Sequence, residues 1–262
     1  MNEARGIATT RAARTTVTGL GGAFMISAEA RAAGKDGGFR GRELYVVGRA
    51  GVLGDGPGDA AAAAIGFFEP GLVRAAWDAG RAKAPVADTV ARYTEACRGW
   101  GRRHYADLDG ADRLAGLMER VAAAADPAGW VLFAGWRARP LPDDPPGRVA
   151  QLLHVLREHR GGAHLSAVRV AGLTPLQAIV ARPGSDGDAT FFGWSEGIPL
   201  ADDTLRARHA EAEALTDELV GPAYDVLDDG QSRDLLELLA AARETVDSVR
   251  TGRISGAARR EP

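Results

Sequence analysis

Residues 148–165, Arg148-Val-Ala-Gln-Leu-Leu-His-Val-Leu-Arg-Glu-His-Arg-Gly-Gly-Ala-His-Leu165, decide the fold class. Val149, Leu152, Leu156 and His159 recur at alternating steps of three and four, with Leu153 beside them. That is the 3.6-residue period of a helix with one apolar face, and it predicts a helix over 148–159. Gly161-Gly162 is expected to break it, so that His164 opens the next helix and folds back.

The same period extends outward in both directions. Val86, Val90, Tyr93, Cys97 and Trp100 share a face over 86–100, behind Pro85. Leu114, Leu117, Met118 and Val121 share another over 111–125, ended by Pro127. Shorter helices are expected over 28–34 capped by Ser27, over 38–50, over 60–65 capped by Asp59, and over 70–81 with Pro70 in the first turn. Thr174-Pro-Leu-Gln177 has the capping-box pattern and predicts a helix over 175–182. Asp202 or Asp203 can cap a helix running to about 219, and Leu235, Leu238, Leu239, Ala242, Val246 and Val249 mark one over 231–249. Strand signal is confined to Trp130–Phe133 and Thr190–Phe192, each short enough to be a buried loop or a small hairpin. The reading is all-α with at most one minor hairpin.

Composition agrees with a folded domain. The chain has 262 residues, 45% hydrophobic and 26% charged, enough apolar content for a real core and too much for a disordered chain. With 32 basic and 35 acidic side chains its net charge is −3, which argues against a broadly basic nucleic-acid binder. The single cysteine, Cys97, excludes an intrachain disulfide and a cysteine-built zinc cluster, and it points to a reducing, cytoplasmic setting. The first residues hold no apolar run of the kind a secretory signal needs, and no stretch is apolar enough for a membrane span, so no membrane association is expected. Residues 1–15 and 251–262 are polar, arginine-rich and without period, and are expected to be disordered tails. Arg139-Pro-Leu-Pro-Asp-Asp-Pro-Pro146 reads as a boundary between an N-terminal helical domain, 16–142, and a second domain, 143–250.

Candidate sites follow from chemistry. His154, His159 and His164 cluster, but steps of five put successive helical side chains roughly 140° apart, which is wrong for two metal ligands on one face. No metal and no cofactor are therefore expected. His159 or His164 could instead contact a ligand or act as acid–base, since a neutral imidazole suits that work near pH 7. Glu158, their neighbour, is expected at the surface beside Arg148 or Arg160. Gly51 to Gly58 lacks the lysine and the preceding strand of a phosphate loop and reads as a turn. Gly193-Trp-Ser195-Glu-Gly197 matches a hydrolase elbow only as a string, without the strand before it. Cys97 falls on an apolar face and reads as core. The acid pairs Asp143-Asp144, Asp202-Asp203 and Asp228-Asp229 read as helix caps. Phe68 and the other aromatics could line an interhelical pocket for a small apolar or aromatic ligand, with Arg49 and Tyr45, one helical turn apart, as its polar anchor.

Three segments carry a resemblance: Tyr45-Val-Val-Gly-Arg49-Ala-Gly-Val-Leu-Gly54, Ile65-Gly-Phe-Phe68-Glu-Pro70, and Leu156-Arg-Glu-His159-Arg-Gly-Gly-Ala-His164. They resemble an actinobacterial helix-turn-helix family of unassigned function, related to MarR-type winged-helix proteins. The resemblance covers roughly 20–250 and implies an N-terminal helical region plus a degenerate winged-helix-like C-terminal region, with terminal helices that form a homodimer. Where such proteins place a recognition helix and a wing after a Gly-Trp pair, Gly193-Trp194 here leads almost directly into the helix at 203, so the recognition-helix region is shortened. Segment 183–202 is broken by Gly and Pro and carries only acidic charge after Pro183, so weak or no DNA binding is expected. Three functions stay open. The first is a small-molecule-binding protein with a pocket made of Tyr45, Arg49, Phe68, His159 and His164. The second is a cofactor-independent enzyme of specialised metabolism using His159 or His164. The third is a MarR-like DNA-binding transcriptional regulator.

Overall fold

Apolar stripes at helical spacing fold here as helices, and the computed structural model, which describes residues 4–184 and 188–257, contains no strand among them. In chain order the helices are α1 (Arg5–Ala23), α2 (Ala28–Asp36), α3 (Glu43–Ala50), α4 (Gly58–Ile65), α5 (Pro70–Arg81), α6 (Val86–His104), α7 (Ala111–Ala124), α8 (Val131–Arg137), α9 (Pro145–Val170), α10 (Pro175–Ala181), α11 (Asp188–Phe191), α12 (Asp203–Tyr224) and α13 (Asp229–Ala257). Short 3-10 turns follow α1 and α3. Caps set many of the starts. Ser27 Oγ accepts from the Ala30 amide at 3.1 Å, Asp202 Oδ1 from Leu205 at 2.7 Å, and Thr174 and Gln177 form a complete capping box.

Several expectations need correction. Trp130–Phe133 and Thr190–Phe192 are not strands: Leu132, Phe133 and Trp136 turn one face of α8 into the core, and Thr190 and Phe191 lie in α11. The winged-helix-like region therefore has no wing among the described residues. The helix over 38–50 begins only at Glu43, because Gly38 and Gly41 adopt φ of +70° and +51°, which an α-helix excludes. α4 starts at Gly58, so Asp59 lies in its first turn rather than at the cap.

Gly161-Gly162 does not break the helix. α9 runs unbroken from Pro145 to Val170, and His164 lies inside it. The reason is packing. A Cβ on Gly162 would come within 2.9 Å of the Trp130 side chain, so this glycine lets the loop before α8 press against the helix backbone. α9 is thereby the spine of the fold, packed against α1, α6, α7, α8 and α12. One apolar core runs from Ala13 to Val246 around it, and the proline-rich loop at 139–146 joins two parts of that core. The loop is held down where the Pro140 carbonyl accepts from Arg98 Nη2 at 2.6 Å and Gln151 Nε2 at 3.0 Å.

The expected N-terminal tail, residues 1–15, is helical from Arg5 onward. Thr9, Thr10, Ala13, Val17, Leu20 and Gly21 form its buried face, a stripe of small residues with little apolar weight. Gly6 and Gly21 allow α1 to lie directly on the backbones of Gly221 and Leu153. Its arginines do not fray into water: Arg11 and Arg14 pair with Asp217 of α12, and Arg5 with Asp229. At the other end, the expected tail at 251–262 is helical to Ala257, and its last five positions, 258–262, lie outside the described residues.

The two glycines of α9 give a paired test. Gly161 faces open space, whereas Gly162 faces Trp130. Gly161→Ala should raise stability by up to about 1 kcal/mol, the helix-propensity gain, while Gly162→Ala should lower it by overpacking. Thermal and denaturant unfolding of the two variants measures both signs; a helix broken at these positions would make both substitutions destabilising.

Candidate functional site

The predicted site residues fall into three separate places. Tyr45 and Arg49 stand one turn apart on α3, and the Arg49 guanidinium donates to the Tyr45 hydroxyl at 2.6 Å. Arg49 is buried and also grips Glu158 of α9 with both ends of its fork, Nε and Nη2 each at 2.9 Å from a carboxylate oxygen. Glu158 is thus not a surface partner of Arg148 or Arg160 but a core anion, 1% exposed, with Arg157 Nη1 a further 2.9 Å contact. Burial would raise its carboxyl, but Arg49 first, then Arg157 and His154, hold it down to about 2. Arg148 and Arg160 are taken by Glu119 and by Asp217 with Glu213 respectively. Phe68 backs the Tyr45 ring at 5.4 Å between centroids and is itself buried against Phe192.

On the other side of Tyr45 lies a cleft of about 460 Å³ between α2, α3, α6 and the turn at 38–41. Met25, Phe39 and Leu44 make its apolar walls, and Arg31, Lys35 and Arg40 stand at its exposed rim. Tyr93 of α6 also lines it. This residue is 1% exposed, and its hydroxyl has no hydrogen-bond partner among the described residues. Burial pushes that phenol well above its ordinary value, so it stays protonated and can donate. Sequence reading placed Tyr93 on an apolar face, correctly, but could not show that its polar end is left unpaired.

His159 lies elsewhere, buried between Trp130 and Phe133 at ring distances of 5.0 and 4.7 Å. Burial, with Arg137 nearby, lowers its pKa to about 4. His154, not singled out as a site, sits in a cage of Phe24, Tyr93 and Trp136, and burial lowers it to about 3. His164 faces α12. Its Nδ1 is 3.0 Å from Thr216 Oγ1 and 3.7 Å from Glu213 Oε1, and its ring stacks on Phe67 and meets that of His209. His159 and His164 therefore do not share a pocket.

The weaker motifs resolve as local structure. Gly51 to Gly58 is the turn between α3 and α4, and Ser195 lies in the loop between α11 and α12. Asp144, Asp202 and Asp228 accept from the amides of Gly147, Leu205 and Gln231 as caps. Cys97 is buried and free, and burial raises its thiol far above the reactive range. No helix among the described residues is long and apolar enough to cross a membrane.

The pattern of a helix-turn-helix family matches residues 10–208. No curated protein and no solved structure matches the chain.

The buried ionisable groups set the acid response. Glu158 falls from 4.5 to about 2, so its contribution is complete above about pH 4.5 and is lost as pH drops towards 2. His154 and His159 fall from 6.5 to about 3 and about 4, so the unfolded chain binds protons first and stability declines as pH drops below 6.5. Thermal melts should therefore fall steadily between pH 7 and pH 4; a flat profile there contradicts the neutral burial of these histidines. Glu158→Gln should cost about 3–5 kcal/mol at pH 7, because it leaves the Arg49 charge buried and unpaired. The Arg49→Met, Glu158→Leu double variant should recover much of that loss in the same unfolding assay.

Proposed function

The chain belongs to this helix-turn-helix family, and from that premise we propose that it is a small-molecule-binding protein of winged-helix ancestry. In this reading it descends from an actinobacterial, MarR-related line, works in the cytoplasm and has lost most of its recognition-helix region. The ligand is a small apolar or aromatic molecule held in the cleft between α2, α3 and α6. One observation carries this reading: Tyr93, whose buried hydroxyl has no partner among the described residues, lines this cleft. A buried hydroxyl without a partner costs free energy, and a ligand oxygen would satisfy it. The exposed rim of Arg31, Lys35 and Arg40 favours a ligand that also carries a negative charge, so an aromatic carboxylate fits best.

Weak DNA binding belongs to the same reading. α9, the turn at 171–174 and α10 are the segment that fits a helix–turn–helix, but α10 is seven residues long and turns Leu176, Ala178, Ile179 and Ala181 inward. Of the polar groups it leaves outside, Gln177 is engaged in the capping box and Arg182 pairs with Asp188. A groove-reading helix needs free side chains on its exposed first turns. A homodimer of two-fold symmetry through α12 and α13 is also proposed, supported by Leu219 and Val226, which stay exposed on that side.

Calorimetric titration with benzoate, phenylacetate and 1-naphthoate tests the ligand reading. Saturable binding is expected, weakened about 2- to 10-fold in Tyr93→Phe, the worth of one hydrogen bond. The same variant should melt no earlier than the parent, since it removes a polar atom that has no partner. Duplex DNA should bind no tighter than about micromolar at physiological salt. A nanomolar gel shift that resists competitor DNA, with no binding of the carboxylates, would replace this reading with that of a DNA-binding regulator.

A further inference from the structure

Away from the cleft, His164, His209 and Glu213 form a group that the ligand reading does not use. We propose that these three side chains bind a divalent transition-metal ion of the zinc class, through two imidazole nitrogens and one carboxylate oxygen, with a fourth position left to water.

The backbone brings them together in two steps. His209 and Glu213 are four apart on α12, the spacing that puts two side chains on one face of a helix. His164 faces them from α9, which packs directly on α12. One ligand atom from each of the three lies within 4.8 Å of the others. Around a tetrahedral zinc ion the ligand atoms stand about 3.4 Å apart, from bonds of about 2.0–2.1 Å. The remaining closure is a side-chain rotation. Glu213 has room for it, its side chain being 29% exposed.

The surroundings orient the ligands as metal sites require. Thr216 Oγ1 donates to the Ala212 carbonyl at 2.6 Å, so its oxygen accepts from His164 Nδ1–H at 3.0 Å. That bond fixes the tautomer and leaves Nε2 of His164 with its lone pair, the outer-shell arrangement common to metal-bound histidines. Arg160 holds Glu213 Oε2 at 2.6 Å and leaves Oε1 as the oxygen nearer His164.

The nearby cations do not cancel the site. Arg160 and Arg14 are shared with Asp217, which is buried and takes contacts from Arg11 as well, and Arg182 is paired with Asp188. Arg160 and Arg14 also contact Glu213, both through Oε2, at 2.6 and 3.6 Å, so Oε1 is the oxygen left for the ion. Two histidines and a carboxylate with an open position make a zinc-type set, since softer thiolate ligands are absent and harder ions prefer oxygen alone.

Chelator-treated full-length chain titrated with Zn2+, and separately with Co2+, tests this. One equivalent should bind, and Co2+ should give the visible ligand-field bands of a four-coordinate N/O site that Zn2+ then displaces. His209→Gln and His164→Gln should lose more than the roughly 10–100-fold that an outer-shell partner costs. Glu213→Gln, read by the shift of the Co2+ bands, serves if either histidine variant fails to fold. His104→Gln, which lies on α6 outside the group, should bind as the parent does, and so should Tyr93→Phe, so this site and the cleft fail independently. No saturable uptake at micromolar metal, or uptake that all three ligand variants leave unchanged, overturns the proposal.

Discussion

A 26-residue helix sunk in the core exposes its inward polar side chains to the cost of burial, and α9 carries Gln151, His154, Glu158, His159 and Arg160 inward. The pairing of Glu158 with Arg49 is the interaction on which the arrangement depends. An isolated carboxylate at 1% exposure would be far too costly, so α3 must present its guanidinium at that height and in that orientation. The same residue is then used twice more. Its carbonyl accepts from the Trp136 indole at 3.0 Å, which fixes α8, and its Nη1 orients Tyr45 at the cleft. Three helices and one wall of the candidate ligand site thus meet at a single ion pair.

A second ionic centre repeats the principle two residues further along α9, at Arg160. Asp217 is fully buried and gathers Arg11 and Arg14 from α1 and Arg160 from α9. Charge pairing thus adds to the apolar packing of Ala13, Val17 and Leu20 in holding the first helix. Glu213 extends this centre towards the surface, where it meets His164 and His209. The structural network and the candidate metal ligands are continuous, which gives the ligand side chains rigid support.

Both candidate sites are peripheral to the same rigid spine. The cleft opens where α2 and the Gly38–Gly41 turn stand off from α3, and the histidine group lies where α12 crosses α9. His159 and His154, by contrast, lie deep among aromatic rings, and burial lowers the pKa of both.

The sequence alone determined the elements whose evidence is local. Periodicity placed α5, α6 and α7 close to their observed bounds and located α12 and α13 while ending them five and eight residues early, caps placed α2 and α10, and the stripe over 148–159 identified the central helix, because side-chain spacing and capping act within a turn or two of chain. Tertiary structure decided the rest. Gly162 reads as a breaker until Trp130 is packed against it, and residues 5–15 read as a tail until Asp217 receives their arginines. Glu158 reads as a surface acid because its partner, Arg49, lies 109 residues away in sequence. His209 and Glu213 had a legible spacing, yet their third partner comes from another helix. Ion pairs, close backbone approaches and unpaired buried hydroxyls depend on which distant segments the core brings together, and spacing within one segment carries no record of that.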